Sequence, residues 1–217
     1  MRASTLPKAN LSIMKEDLKS FNIEKEIKRK EVHLEDENYR YTYADLLAWD
    51  DEVRYELHDG ILYLLAAPLH IHQIILVELT SILHQFLKGK KCRLFVAPSD
   101  VRLNFDTKDN DVYQPDLFVV CDKSKLEDKR TCKGAPDLVI EILSPSTAHI
   151  DRFVKYQSYQ KYGVREYWIV NPETKKIDVY FLEDGKFIPT VFGEDDVLPS
   201  KVIDGLCVKL SDVFESE

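Results

Sequence analysis

The sequence predicts an α/β domain with a mixed central sheet that is flanked by helices and extended by hairpins. Strand-like segments alternate with two segments of helical period, residues 69–87 and 149–162, and that alternation is typical of α/β folds. Residues 166–170 predict a further strand, and an Asp184-Gly185 step between two apolar segments predicts a hairpin after it. The 217 residues are enough for one sizeable core, and 44% hydrophobic with 31% charged residues is an ordinary globular composition.

Composition and charge argue against several classes of protein. No run approaches the 18 apolar residues of a membrane span, and residues 1–10 hold no apolar signal core, so we expect a cytoplasmic protein. The net charge of −8 disfavours a nucleic-acid coat protein or a membrane-surface protein, although it leaves a local basic groove open. Because Cys92, Cys121, Cys132 and Cys207 include no Cys-x-x-Cys pair, reduced thiols are expected rather than zinc ligands or disulfides.

Residues 1–38 are predicted to form a charged arm outside a single globular domain at residues 39–217. The arm is rich in Lys and Glu, and its apolar residues have roughly helical spacing, so we expect it to be helical. A solvated charged helix is the simpler interpretation, and contact between residues 25–30 and phosphates is the alternative. A short helix should follow at residues 42–49, with Thr42 as its N-cap and Asp45 in its first turn.

Two polar residues stand out in the next two elements. An Asp59-Gly60 step between apolar segments predicts a hairpin, and Glu56 lies just before its turn. Glu56 is either a carboxylate on an edge strand or a residue of a functional site, and the sequence leaves both interpretations open. Residues 69–87 predict an amphipathic helix that ends at Lys88-Gly89, with His72 at the edge of its apolar stripe. There, a structural histidine is favoured over a metal ligand.

The strand predicted from residue 137 to residue 143 has one acid in its interior, Glu141, among apolar neighbours on both faces. Burial of an unpaired carboxylate costs several kcal/mol, so Glu141 should have a metal ion, a lysine or hydrogen-bond donors as partners. An earlier strand, residues 112–120, holds a second acid, Asp116, directly after Pro115. Since proline lacks a backbone donor, Pro115 marks a strand start, an edge or a bulge.

The helix predicted at residues 149–162 has several polar residues on one face. It follows a stop signal at Pro145 and ends at Gly163. Asp151, Lys155, Ser158 and Tyr162 fall on one stripe. An exposed pair of Asp151 and Lys155 would add only about 0.3 to 0.5 kcal/mol. If the stripe instead faces the sheet, Lys155 can reach Glu141.

Three acids are therefore candidates for one site: Glu56, Asp116 and Glu141. Converging carboxylates suit a hard divalent cation such as Mg²⁺. A lysine beside them suits phosphodiester hydrolysis, because an ammonium can orient or help deprotonate the attacking water while the metal stabilises charge on the phosphate. The chain has no Walker loop and no Rossmann glycine fingerprint, so no nucleotide motif adds support.

Taken as an ordered set, these motifs resemble the Uma family of putative restriction endonucleases, over about residues 41–182. The resemblance is carried by Arg54-Tyr55-Glu56-Leu57-His58-Asp59-Gly60, His72, Gln114-Pro115-Asp116-Leu117, Glu141-Ile142-Leu143-Ser144-Pro145-Ser146-Thr147, Asp151 with Lys155, and Gly163-Val164-Arg165-Glu166-Tyr167-Trp168-Ile169-Val170-Asn171-Pro172. That family belongs to the PD-(D/E)XK nuclease superfamily. The resemblance therefore implies a restriction-endonuclease-like mixed sheet and a site of two acids and a lysine with Mg²⁺.

The resemblance also implies a role for each residue. It makes Pro115-Asp116 the "PD" motif and Glu141 the second acid, and these two carboxylates would hold Mg²⁺, for which Mn²⁺ can substitute. Glu56 would be an additional catalytic acid from the N-terminal part. The superfamily lysine is expected two residues after Glu141, where the chain has Leu143, so its role passes to Lys155 on the following helix.

These observations predict a Mg²⁺-dependent DNA endonuclease whose catalytic residues are Glu56, Asp116, Glu141 and Lys155. DNA is the expected partner, a membrane is not, and a homodimer is left open. One alternative is an inactive protein with a nuclease fold that serves as a nucleic-acid-binding or regulatory module. The acidic net charge and the displaced lysine are both compatible with it. Another is an enzyme acting on a small phosphorylated substrate. Basic side chains near the site would favour a nucleic acid, but the sequence does not place its arginines on one surface.

Overall fold

The predicted alternation of strands and helices is present in the computed structural model, which describes residues 38–49, 53–145 and 147–214. Almost all of the predicted arm lies outside the described residues, so its helical state stays a prediction. In chain order the elements are α1 (Tyr43–Ala48), β1 (Tyr55–His58), β2 (Ile61–Leu64), α2 (His70–Leu87), β3 (Arg93–Val96), β4 (Val101–Arg102), β5 (Val112–Tyr113), β6 (Leu117–Val120), a 3₁₀ turn (Lys123–Leu126), β7 (Cys132–Lys133), β8 (Leu138–Ile142), a π-helical turn (Ile150–Lys155), α3 (Tyr156–Tyr162), β9 (Glu166–Asn171), β10 (Lys176–Glu183), β11 (Lys186–Gly193), β12 (Val197–Pro199), β13 (Cys207–Lys209) and α4 (Ser211–Phe214).

A six-stranded mixed sheet forms the centre of the molecule, with the strand order β11-β10-β9-β8-β6-β3. The β8–β9 pair is parallel, and the other neighbouring pairs in this sheet are antiparallel. The turn and α3 connect β8 to β9, which is the kind of crossover that a parallel pair requires. This arrangement confirms the predicted α/β class with a mixed central sheet, and β10 and β11 form the predicted hairpin.

A second sheet has the order β2-β1-β5-β4-β7, and its presence corrects one prediction. Residues 112–120 were expected to form a single strand, but the structure divides them between the two sheets. Val112–Tyr113 pairs in the smaller sheet and Leu117–Val120 in the central one. Between them lies Gln114-Pro115-Asp116, where Pro115 has no N–H to continue a ladder. Asp116 therefore lies at the crossing from one sheet to the other.

The long helix α2 packs on the central sheet through a buried face of Ile75, Leu79, Leu83 and Leu87. His72 is also buried, at 7% exposed, and so lies on the face that contacts the protein rather than at its margin. The apolar side chains of β8 and β9 complete this core from the sheet. In the part of the chain that the structure describes, no helix combines the length and apolar character needed to cross a bilayer.

A disulfide joins Cys92 to Cys121, which corrects the expectation that all four cysteines are reduced. The antiparallel strands β3 and β6 place Arg93 opposite Val120, so the residues just outside this pair also face each other. A separation of 29 residues in sequence gives no hint of this contact, because it depends on strand register. Cys132 is a buried free thiol and Cys207 an exposed one.

The turn of the first hairpin is tied to the residues that precede α1. Gly60 has φ +74°, and a Cβ added there would lie 2.8 Å from Cβ of Arg40 and 3.0 Å from the carbonyl oxygen of Tyr41. The Tyr41 N–H donates to the Gly60 carbonyl, and the Gly60 N–H donates to the Asn110 carbonyl, at 2.8 and 2.7 Å. This position therefore requires glycine for both its backbone conformation and its space.

Candidate active site

A cleft of about 650 Å³ contains all four of the residues that the sequence singled out for a catalytic role. Glu56 comes from β1, Asp116 from the crossing between the sheets, Glu141 from β8 and Lys155 from the end of the π-helical turn. Four separate segments of the chain thus bring their polar side chains to one place. His72, Arg54 and Asp151 line the same cleft.

Lys155 lies at the centre of the buried charges. Its Nζ is 2.9 Å from Glu141 Oε1, 3.1 Å from Glu56 Oε1 and 3.4 Å from Asp151 Oδ1, and the residue is only 5% exposed. The contact with Glu141 is the one that the sequence predicted for a stripe facing the sheet. Burial alone would lower the pKa of the Lys155 ammonium, but the three carboxylates raise it well above its ordinary value. The lysine is therefore held in its charged form.

The π-helical turn influences which of the residues after Lys155 are buried. The sequence placed Ser158 and Tyr162 on one stripe with Lys155, but the structure buries Tyr159 completely and leaves the other two half-buried. A π turn bonds residue i to i+5 rather than i+4, which shifts the phase of the helix that continues from it. Tyr159 Oη consequently donates to Glu141 Oε1 at 2.9 Å. Tyr159 follows Lys155 by four residues, a spacing that puts two side chains on one helical face, but the predicted stripe did not include it.

Glu141 has the buried partners that the sequence required of it. Oε1 accepts hydrogen bonds from Lys155 and Tyr159, and Oε2 accepts a longer one, 3.4 Å, from the Asp116 N–H. Burial raises the pKa of the Glu141 carboxyl well above its ordinary value, and the neighbouring carboxylates add to that increase, although Lys155 opposes it. Glu141 is thus a carboxyl for which an additional nearby positive charge would favour ionisation.

The pKa of Glu56 is shifted in the opposite direction from that of Glu141. Burial opposes its ionisation, but Lys155, the ring of His58 and the Gln114 N–H lower its pKa to about 2. His58 Nε2 is 3.0 Å from Glu56 Oε2, and Gln114 donates to Oε1 at 2.8 Å. The histidine ring is itself stacked between Tyr63 and Tyr113, with centroids 4.2 and 4.6 Å away. Glu56 is therefore ionised and firmly held.

Asp116 is the most accessible of these acids. Its side chain is 20% exposed, against 4% for Glu141 and 2% for Glu56. Its Oδ2 accepts from the Ile142 N–H at 2.8 Å and contacts His72 Nε2 at 3.0 Å. Sequence reasoning treated His72 as a structural residue and missed this contact, because the break that brings Asp116 under α2 is not visible in a single sequence.

The donor set fits a Mg²⁺ ion held by two carboxylates. Among the described residues, both hydrogen bonds to the Asp116 carboxylate go to Oδ2, so Oδ1 can take another ligand. Glu141 Oε2, whose contact is the long one to the Asp116 N–H, can do the same. The described ranges contain no group of three or more His, Cys, Asp or Glu side chains arranged around a metal position. Mg²⁺ commonly takes one or two carboxylates and fills its remaining positions with water and phosphate oxygens.

The structure places the arginines that the sequence could not. Arg152 pairs with Asp178 at 2.7 Å, and Arg165 pairs with Asp137 at 3.0 Å. Arg54 lines the cleft, where its Nε donates to the Gln114 side chain at 2.9 Å. That bond uses one of the five N–H groups of a guanidinium. Arg54 is thus a cation of the cleft whose other N–H groups make no hydrogen bond to the described residues and can donate to an anionic ligand.

Comparison with known proteins gives a family and a fold. The model of the Uma2 family, described as "Putative restriction endonuclease", matches residues 43–211. An uncharacterized protein of Synechocystis sp. is 28% identical in an alignment of 165 residues that covers 73% of this chain and 84% of the relative. The crystal structure of a "putative nuclease belonging to DUF820" from Anabaena variabilis matches with a TM-score of 0.66 at 22% identity, over 81% of this chain and 98% of that one.

Proposed function

The chain belongs to the Uma2 family, and from that membership we propose that it is a Mg²⁺-dependent endonuclease that hydrolyses phosphodiester bonds of DNA. The family and the nuclease-like fold support a nuclease of some kind. The observation that carries the finer proposal is the buried ammonium of Lys155 between Glu56 and Glu141, next to the more exposed Asp116 in the same cleft. Carboxylates, a lysine and an accessible acid in one cleft are the components that metal-assisted hydrolysis requires.

Asp116 and Glu141 are the residues that would hold Mg²⁺, for which Mn²⁺ can substitute. The bound ion would supply Lewis acidity and neutralise charge that develops on the phosphate. The cleft carries four carboxylates, those of Glu56, Asp116, Glu141 and Asp151, around one lysine. In their ionised forms these four groups outnumber the cations of the cleft, Lys155 and Arg54, and repel a phosphodiester. A divalent cation removes much of that repulsion and would also favour the ionised form of Glu141.

Lys155 would position the attacking water rather than deprotonate it. Its pKa lies well above the ordinary value for lysine, so the ammonium stays protonated at neutral pH and has no lone pair to accept a proton. Its three N–H groups face three carboxylates, so to donate to the water it would release one of these contacts, of which that with Asp151 Oδ1 is the longest at 3.4 Å. In the reaction the water oxygen bonds to phosphorus while the bond from phosphorus to the leaving deoxyribose oxygen breaks, and that oxygen takes up a proton from solvent water. Asp151, whose pKa burial raises to about 6, is the acid of the cleft best suited to accept the proton of the water near neutral pH.

Arg54 would bind the phosphate backbone at the cleft. Phosphate contacts from arginine position a nucleic acid without reading its sequence. The Gln114 side chain fixes the Arg54 guanidinium at Nε and itself donates to Asp100 Oδ1 at 2.9 Å. Arg54 is therefore oriented before a ligand binds. Because an arginine binds the phosphate of a nucleic acid and of a small molecule alike, the preference for a nucleic-acid substrate rests on the family.

The alternative function is nucleic-acid binding without cleavage. The observation that favours it is Leu143, which stands where the superfamily lysine is expected. Lys155 then has a purely structural role, as the counter-ion of three buried carboxylates. The two functions share the cleft and Arg54, and they differ in whether a phosphodiester bond is broken.

A cleavage assay separates the two functions. We expect the purified protein to nick supercoiled plasmid in Mg²⁺ or Mn²⁺ and to be inactive in EDTA. Asp116→Asn should abolish cleavage, whereas Asp195→Asn, which removes an equal charge from an exposed loop, should not. Absence of cleavage of plasmid, single-stranded and branched DNA in both metals, combined with retained binding in a gel-shift assay, would support the binding function instead.

A further inference from the structure

His72 uses one ring nitrogen for a site carboxylate, and its other ring nitrogen has no partner among the described residues. Nε2 lies 3.0 Å from Asp116 Oδ2, and an ionised carboxylate can only accept, so Nε2 carries the proton. Nδ1 is buried and makes no hydrogen bond to any described residue. Buried polar atoms are normally satisfied, so an unsatisfied one at a cleft calls for a reason. Here the histidine leaves Nδ1 unsatisfied and brings Nε2 to the Asp116 carboxylate.

The oxygen that His72 contacts is also held from the opposite side. Asp116 Oδ2 accepts the Ile142 N–H at 2.8 Å, so one donor comes from α2 and the other from β8. Two donors on one oxygen restrict rotation of the carboxylate and keep Oδ1 out of both bonds. The adjacent acid has a similar arrangement, in which Nε2 of buried His58 contacts Glu56 Oε2 at 3.0 Å and its Nδ1 is unpaired among the described residues.

We propose that His72 is a positioning residue that fixes the Asp116 carboxylate, so that Oδ1 is presented to the metal ion. The inference rests on the proposed function, because it assigns Asp116 to a metal. Hydrogen bonds from outside the ligand set orient ligands in this way, and their loss commonly reduces metal affinity 10- to 100-fold. The same helix packs into the central core through Ile75 and Leu79, which gives His72 a rigid base.

Two substitutions of His72 separate the hydrogen bond from the bulk of the ring. The amide nitrogen of glutamine reaches about as far from the backbone as Nε2, whereas that of asparagine stops near Nδ1. In a titration of the full chain with Mn²⁺ by calorimetry, His72→Asn should weaken binding about 10- to 100-fold and His72→Gln should stay close to wild type. His84→Asn, at an exposed position of the same helix, is the matched control.

The amide hydrogen exchange of Ile142 gives a second readout that needs no metal. Since that N–H donates to the same oxygen, release of the carboxylate should speed its exchange in His72→Asn, with the wild-type rate in His72→Gln and His84→Asn. Unchanged exchange in His72→Asn, or equal acceleration in both His72 variants, would overturn the inference. A wild-type chain that binds no Mn²⁺ but shows the expected exchange pattern would refute the metal site while retaining the positioning of Asp116.

Discussion

Nζ of Lys155 lies 2.9 Å from Oε1 of Glu141, although the two residues are 14 positions apart in the chain. The lysine reaches the carboxylate from the π-helical turn after β8. The position two residues after Glu141, where the superfamily lysine is expected, is occupied by Leu143. The helix therefore supplies the cation that the resemblance led us to expect from the strand. Because three carboxylates surround that cation, its removal affects stability as well as chemistry.

Lys155→Met should destabilise the protein by about 3 to 5 kcal/mol at pH 8, the usual cost of leaving buried charges without their partner. The surviving carboxyl groups would then have folded-state pKa values above their unfolded ones, so the stability they provide is present at low pH and is lost as pH rises. The loss of unfolding free energy caused by Lys155→Met should thus be smaller at pH 5 than at pH 8. Urea denaturation at both pH values measures it, with exposed Lys176→Met as the control. An equal deficit at both pH values would contradict this explanation. Cleavage by Lys155→Met should be lost.

Glu56 should contribute stability with the opposite pH dependence. Its pKa is about 2 in the folded protein, against an ordinary value of 4.5 for a glutamate side chain, so its contribution is present above pH 4.5 and is lost as pH falls through 2. At 1.36 kcal/mol per pKa unit, the contribution is about 3 kcal/mol. The stability gap between wild type and Glu56→Gln should therefore narrow between pH 7 and pH 3 in urea titrations. Exposed Glu173→Gln should show no such gap, and a pH-independent gap for Glu56→Gln would refute the prediction.

Gly60→Ala should be costly, while Gly134→Ala should be mild. Both glycines have positive φ, +74° and +83°, so both substitutions carry the backbone penalty of a left-handed conformation, about 1 to 2 kcal/mol. Only at Gly60 would the added Cβ collide, at 2.8 Å from Arg40 Cβ, whereas it meets nothing within 4 Å at Gly134. The difference in melting temperature between the two variants measures the destabilisation that comes from the steric contact alone. Equal losses of melting temperature would mean that residues 39–41 move away freely.

Removal of the disulfide should lower stability by about 3 to 4 kcal/mol in the chain-entropy description, because Cys92 and Cys121 close a loop of 29 residues. The double variant Cys92→Ser, Cys121→Ser should therefore melt lower than the oxidised protein. Alkylation followed by mass spectrometry should label Cys207 in the native oxidised protein and spare the two bridged residues. Labelling of Cys92 and Cys121 without prior reduction would show that the bridge is not formed.

Deletion of residues 1–38 should change the melting temperature little, because the sequence places this charged arm outside the core. Scanning calorimetry of the truncated chain, compared with the full chain in the same buffer, measures the effect. A decrease of more than about 10 °C, well above the effect of 1 kcal/mol in a domain of this size, would show that the arm is integral.

The sequence predicted what depends on local pattern and failed where tertiary register decides. The helix α2, the two hairpins and the approach of Lys155 to Glu141 follow from periodicity, turn residues and the cost of a buried acid. The division of residues 112–120 between two sheets could not be predicted, because Pro115 was compatible with a strand start, an edge or a bulge. The same break hid the His72 contact, and the Cys92–Cys121 pair needed the alignment of β3 with β6.

The crossing at Gln114-Pro115-Asp116 connects the two sheets, and Glu56 belongs to one sheet while Glu141 belongs to the other. Lys155 contacts both acids, so its full set of partners exists only while the sheets are docked. Partial unfolding that released the smaller sheet would remove Glu56 and disturb Asp116 together. Such a state could retain most of its helical signal and still lack the assembled cleft. Any activity of the cleft would consequently report that the two sheets are docked, and a chain that had released the smaller sheet would be inactive while much of its structure remained.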